Sequence, residues 1–119
     1  MPHLLVHIHS GPDQPAKATL GCLVALTAAC AGHEVTLFLA GDGISLLDPA
    51  HAGLTAPGTG RLGDHLAGLR AAGATLRVSR LSAAARGHDD RLLAPHGATF
   101  ALPEDLVALT FAADRTLTY

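Results

Sequence analysis

Apolar positions along this chain come in short runs separated by turn-forming residues, and strand-like runs alternate with helix-like ones. His3 to His9 (HLLVHIH) is a brief apolar run closed by Ser10-Gly11-Pro12-Asp13, which predicts a buried strand followed by a turn. Pro15 suits the first turn of a helix that continues through AKATLGCLVALTAACA and stops at Gly32. Lys17 is the one charged residue in that helix. It is therefore expected to be buried nearly all round, with one face on a sheet and the other against a second helix or a second chain. Glu34 to Ala40 (EVTLFLA) predicts the second strand, closed by Gly41-Asp42-Gly43, with a short helical turn over Ile44 to Leu47.

The second half repeats the alternation. Asp48 to Gly60 (DPAHAGLTAPGTG) has no period and many turn residues, which predicts a mobile loop. Leu62, Leu66 and Leu69 stand at helical spacing between Arg61 and Ala72, with Gly73 as the stop. Thr75 to Ser79 predicts a third strand, Ser82 to Arg86 a single helical turn ended by Gly87, and Ala98 to Leu102 a fourth strand. Pro103-Glu104-Asp105 starts a helix that runs to about Ala113, because proline fits its first turn and two acids face the positive end of its dipole. Arg115 to Thr118 makes the last strand. This order implies an α/β fold: one domain over residues 1–119, a three-layer α/β/α sandwich around a mostly parallel five-stranded sheet. Ligands of such sheets sit beyond the carboxyl ends of the strands. Here that rim gathers His9, Ser10, Gly11, Gly41, Asp42, Gly43, Ser79, Arg80 and Ser82 as candidate ligand-binding residues.

Composition narrows the function classes. Among 119 residues, 15% are charged against about 25% in a typical domain. So few charges exclude a disordered chain and suggest that another subunit covers part of the surface. Aromatics are 3%, Trp is absent and the net charge is −2, so neither a base-stacking platform nor a basic footprint for nucleic acid exists. The most apolar stretch, Ala18 to Ala31, is shorter than the roughly 20 residues that cross a bilayer. The start lacks the basic region of a secretory signal, so a cytoplasmic protein is expected. Cys22 and Cys30 lie roughly 12 Å apart along one helix, too far for a disulfide with each other.

Several polar groups invite chemical readings. His3, His7 and His9 share one face of the first strand, and a His-x-His pair can ligate a metal, but no recognised spacing completes a site, so no metal is expected. Ser10-Gly11-Pro12-Asp13 and Gly41-Asp42-Gly43 lack the spacing of phosphate-binding loops, and turn geometry is the more economical reading of both. Ser79, Arg80 and Ser82 can grip a small anion, or Ser79 and Ser82 can cap a helix, and the two roles are compatible. No G-x-S-x-G spacing surrounds Ser79, which removes a hydrolase reading.

The ordered set Ser10-Gly11-Pro12, Ala31-Gly32-His33-Glu34-Val35, Gly41-Asp42-Gly43, Ala71-Ala72-Gly73, Ser82 with Arg86-Gly87, and Ala113-Asp114-Arg115 resembles the DsrE/DsrF-like family. The resemblance implies a five-stranded α/β/α sandwich that assembles as a homo-oligomer, often a trimer or hexamer, and it implies partners in sulfur relay. It also implies a persulfide-carrying cysteine at the end of the third strand, three residues before the serine that matches Ser82. That position is Ser79. An alcohol cannot hold sulfane sulfur, which requires a thiolate. Cys22 and Cys30 are both expected to be shielded in the apolar helix, where burial raises a thiol's pKa. The sequence therefore points to a relative of sulfur-relay proteins that is not itself a persulfide carrier, with no cofactor, no nucleic acid and no membrane partner. The alternatives are a carrier that uses Cys22 or Cys30, and a metal- or anion-binding protein at the strand-end rim.

Overall fold

The computed structural model describes residues 2–119. Its strands and helices alternate as β1 (His3–Ile8), α1 (Pro15–Cys30), β2 (Glu34–Leu39), a hairpin of β3 (Thr55–Ala56) and β4 (Gly60–Arg61), α2 (Leu62–Ala71), β5 (Thr75–Ser79), α3 (Arg80–Ala85), β6 (Thr99–Ala101), α4 (Pro103–Ala112) and β7 (Arg115–Thr118). Five strands form one sheet in the order β6-β5-β2-β1-β7, and every neighbouring pair is parallel. The α/β sandwich is thus present, and the sheet is parallel throughout.

Strand alternation sorts the core. Val6, Ile8, Leu37, Leu39, Leu76 and Val78 point to one face, where they meet Ala18, Cys22 and Ala25 of α1 and Leu66 and Leu69 of α2. Leu5, Phe38 and Ala101 point to the other, where Leu106 and Leu109 of α4 cover them. The last two strands lie at opposite edges of the sheet, so α4 has to cross the whole of the second face to join them. That face has a single long helix where the first has two.

Two expectations need correction. Helix α1 is not buried nearly all round: α2 takes its second side, but Ala16, Lys17, Leu20, Thr27 and Cys30 are exposed. Small side chains lower the cost of that exposure, and the helices approach closely enough that a Cβ on Gly68 of α2 would come 2.9 Å from Leu26 Cδ1. The segment from Asp48 to Gly60 is also not a featureless loop. A 3-10 turn (Pro49–His51), capped by the Asp48 side chain, leads into the β3–β4 hairpin. At its tip Thr59 is buried and shares a 2.6 Å hydrogen bond with Thr19 of α1, while the His65 ring donates to the Thr59 carbonyl. The sequence has no local period here because the segment is held by polar contacts to distant elements. Thr59→Val keeps the shape but removes the hydroxyl, and should cost about 1–2 kcal/mol. Urea denaturation reads that loss, and amide exchange should quicken selectively in residues 55–61.

Candidate functional site

The carboxyl ends of β1, β2 and β5 bring most of the candidate rim together. After β1 the chain turns tightly, with the Gln14 amide donating to the Gly11 carbonyl. After β2 it enters a 3-10 helix, Gly41–Leu47, which begins three residues before the expected helical turn. Gly41 adopts φ +55°, and its amide donates to Ser82 Oγ at 2.8 Å. The Gly43 amide donates to the Ala40 carbonyl. Both glycine amides are therefore spent inside the fold rather than offered to an anion.

The two glycine turns also interlock. A Cβ on Gly11 would lie 2.8 Å from Asp42 Cβ and 2.9 Å from the Asp42 carbonyl oxygen. A Cβ on Gly43 would collide with the Ile8 carbonyl oxygen and come 3.1 Å from its carbonyl carbon. Gly11 and Gly43 serve close approach of backbones, whereas Gly41 serves a positive φ.

Ser79 ends β5 and caps α3, its Oγ accepting from the Ser82 amide at 3.2 Å. Ser82 in turn reaches Gly41, so the start of α3 is fastened to the end of β2. Arg86, at the end of α3, donates to Asp42 Oδ1 at 2.9 Å and to the Ser82 carbonyl at 3.2 Å. This Asp42–Arg86 pair is a tie that sequence spacing could not reveal, since 44 residues separate the partners. His9 is exposed at the same rim, its Cβ 3.7 Å from where a Cβ of Gly41 would stand. Ser10 is buried.

Arg80 leaves this group. Its guanidinium stacks 4.7 Å from the centre of the Phe100 ring, on the wall of a cleft of about 280 Å³ lined also by Ala84, His88, Asp89 and Asp90. Asp89 accepts a bidentate bond from Arg91, which holds its carboxyl below the usual range. The rim is thus two neighbouring places: a knot of Ser79, Ser82, Gly41, Asp42 and Arg86, and the Arg80 cleft.

Histidine and cysteine chemistry divides equally clearly. His7 stands edge-on to His9, ring centres 5.5 Å apart, and to Phe38 at 5.7 Å. Burial, and then the charge of His9, lower the pKa of His7. His3 bonds Thr36 Oγ1 at 2.9 Å. Among the described residues no three His, Cys, Asp or Glu side chains gather as a metal ion would require. Cys22 lies in the core with no exposed surface, and burial pushes its thiol up to about 12. Cys30 is exposed, contrary to the expectation that both thiols are shielded, because it lies on the outward side of α1 with Leu20 and Thr27, while Ala28 and Ala29 of the same turn pack on the core. It sits four residues before β2 begins, at the opposite end of the sheet from the rim.

Residues 3–119 match the DsrE/DsrF-like family. The chain belongs to that family. The DsrE-like fold is seen as well in the crystal structure of the ychN protein from E. coli, which shares 20% identity over 100% of both chains with a TM-score of 0.75. No curated protein matches the chain. Among the described residues no helix is long and apolar enough to cross a membrane. The resemblance set its expectation at the end of the third sheet strand in chain order, β5, where Ser79 stands as a helix cap.

Proposed function

We propose that this DsrE-like chain works beside cytoplasmic sulfur-relay proteins without carrying sulfur itself. It acts as a homo-oligomer, a trimer or hexamer, that binds a small ligand or a relay partner through its strand-end rim. The rim residues are His9, Ser10, Gly11, Gly41, Asp42, Gly43, Ser79, Arg80 and Ser82, with Arg86 added as the partner of Asp42. The observation that carries this reading is the chemistry at the end of β5. Ser79 takes the position the resemblance gives to a carrier cysteine, and its Oγ is engaged in capping α3. A hydroxyl there can orient a ligand but cannot form a sulfur–sulfur bond.

The carrier alternative has one fact in its favour, the exposure of Cys30. Cys22 is a poor candidate, since a thiol pushed up to about 12 is almost wholly protonated near neutral pH. Incubation with a small persulfide donor, followed by intact-mass measurement, separates the readings. The wild type should gain sulfur at Cys30 no faster than its own urea-unfolded chain does, and Cys30→Ser should gain none. Uptake by Cys30→Ser, or uptake at Cys30 faster in the folded than in the unfolded protein, would overturn the non-carrier reading.

A further inference from the structure

The cleft beside the strand-end knot carries charge that the fold leaves unused. Among the described residues the ion pairs are Arg61–Asp64, Arg77–Asp105, Arg86–Asp42 and Arg91–Asp89. Asp89, on the cleft wall, is thus spent on Arg91, through both of its carboxylate oxygens. Arg80 and Asp90 line the same cleft and belong to none of these pairs. Cation and anion face one space of about 280 Å³ without closing on each other.

Each is anchored separately. The Arg80 guanidinium lies over the Phe100 ring, 4.7 Å from its centre. Stacking engages the flat face of a guanidinium and leaves its N–H edge available. Asp90 opens a 3-10 turn (Asp90–Leu92) that Asp89 caps by accepting from the Arg91 amide at 3.0 Å. The His88 amide donates to the Ala83 carbonyl at 2.9 Å, which ties this turn back to α3.

That arrangement selects for charge. A simple anion would be drawn to Arg80 and repelled by Asp90, and a simple cation the reverse. A ligand with both charges satisfies both walls. The volume lies at the small end of the roughly 300–1,000 Å³ typical of ligand pockets, which suits a molecule well below nucleotide size. A free α-amino acid meets both conditions: a guanidinium takes its carboxylate as a bidentate pair, and a carboxylate accepts from its ammonium.

We propose that the Arg80–Asp90 cleft binds a small zwitterionic α-amino acid, its carboxylate on Arg80 and its ammonium on Asp90. The assignment rests on the ligand-binding reading of the rim, to which Arg80 belongs, and adds the class of the ligand.

Equilibrium dialysis of the full chain against L-alanine, L-serine and L-cysteine at millimolar concentration tests it. At least one should bind. Arg80→Ala and Asp90→Asn change exposed side chains, so both variants should keep the wild-type circular dichroism while each weakens that amino acid about tenfold. Analogues that drop one charge should bind at least about tenfold more weakly than their parent. These are propionate and ethylamine for alanine, 3-hydroxypropionate and ethanolamine for serine, and 3-mercaptopropionate and cysteamine for cysteine. If none of the three amino acids binds, or if a single-charge analogue binds as well as its parent, the proposal falls, while the non-carrier reading keeps its own test in persulfide uptake. If an amino acid binds and His9→Ala abolishes binding while Arg80→Ala and Asp90→Asn retain it, the ligand sits at the knot. The rim reading then stands and the cleft assignment is wrong.

Discussion

Replacing Gly43 by alanine should destabilise the protein by about 3 kcal/mol and lower its melting midpoint by roughly 10 °C. The added methyl would have nowhere to go. It would overlap the carbonyl oxygen of Ile8 and stand 3.1 Å from that residue's carbonyl carbon and 3.3 Å from His9 Cα. All three are backbone atoms at the end of a central strand, and they cannot swing aside as a flexible side chain can. The end of β2 or the end of β1 has to move. Either shift disturbs the Ala40 amide, which donates to Ile8 at 3.1 Å. Gly11→Ala should cost less, because its nearest contact, Asp42 Cβ at 2.8 Å, overlaps less than the Ile8 oxygen does at Gly43. The two substitutions should not add, since both act on the same pair of turns. Gly53→Ala is the control: nothing lies within 4 Å of its added Cβ, and a gain of up to about 1 kcal/mol is expected. Thermal and urea denaturation of the three variants measure all of this. A Gly43→Ala protein as stable as the wild type would refute the interlock of the two turns.

That interlock shows where sequence reading succeeds and where it stops. The sheet strands and long helices were legible because each is local: an apolar run of strand length or a leucine period, closed by glycine or proline. The sites of the turns were legible for the same reason. What each glycine does was not. Gly41 needs its positive φ, a local property, but Gly43 needs the neighbouring strand, and the neighbour is set by a sheet order that no local pattern encodes. The same limit explains the other differences. Thr59 is fixed by Thr19, His96 by the Leu47 carbonyl, and Asp42 by Arg86, each across at least 40 residues. The stretch from His88 to Gly97 holds two 3-10 turns, Asp90–Leu92 and Ala94–His96, too short to carry a period. Arg80 was grouped with its neighbours by position alone, whereas the ring of Phe100 draws it into a separate cleft. Cys30 was judged by the apolarity of its helix as a whole, which says little about which side of α1 faces outward. Helix α4 drew attention for its start signals and not for the exposure of Phe111, which can be seen only once the inward face is known.

Ser79→Cys, made in the Cys30→Ser background, should turn this chain into one that accepts sulfur. The substitution exchanges one atom at the end of β5 and leaves Cys22 as the other thiol, buried and held protonated with its pKa near 12. At position 79 the side chain accepts from the Ser82 amide at the start of α3. An amide donor favours thiolate over thiol, and cysteines at helix starts reach pKa values of about 7 or below. The thiolate would attack the outer sulfur of a small persulfide. A new sulfur–sulfur bond would form on the protein as the donor's own bond breaks, and the donor would leave as a thiol. The expected result is a mass gain of one sulfur atom per chain within minutes at neutral pH, reversed by a reducing thiol and absent from Cys30→Ser alone. Loss of the serine cap itself is a small effect, about 1 kcal/mol, which Ser79→Ala reports separately. If S79C/C30S folds and its thiol reacts with an alkylating reagent yet takes up no sulfur, the end of β5 is not a carrier position in this chain. The oxygen at Ser79 would then say nothing about why sulfur is not carried.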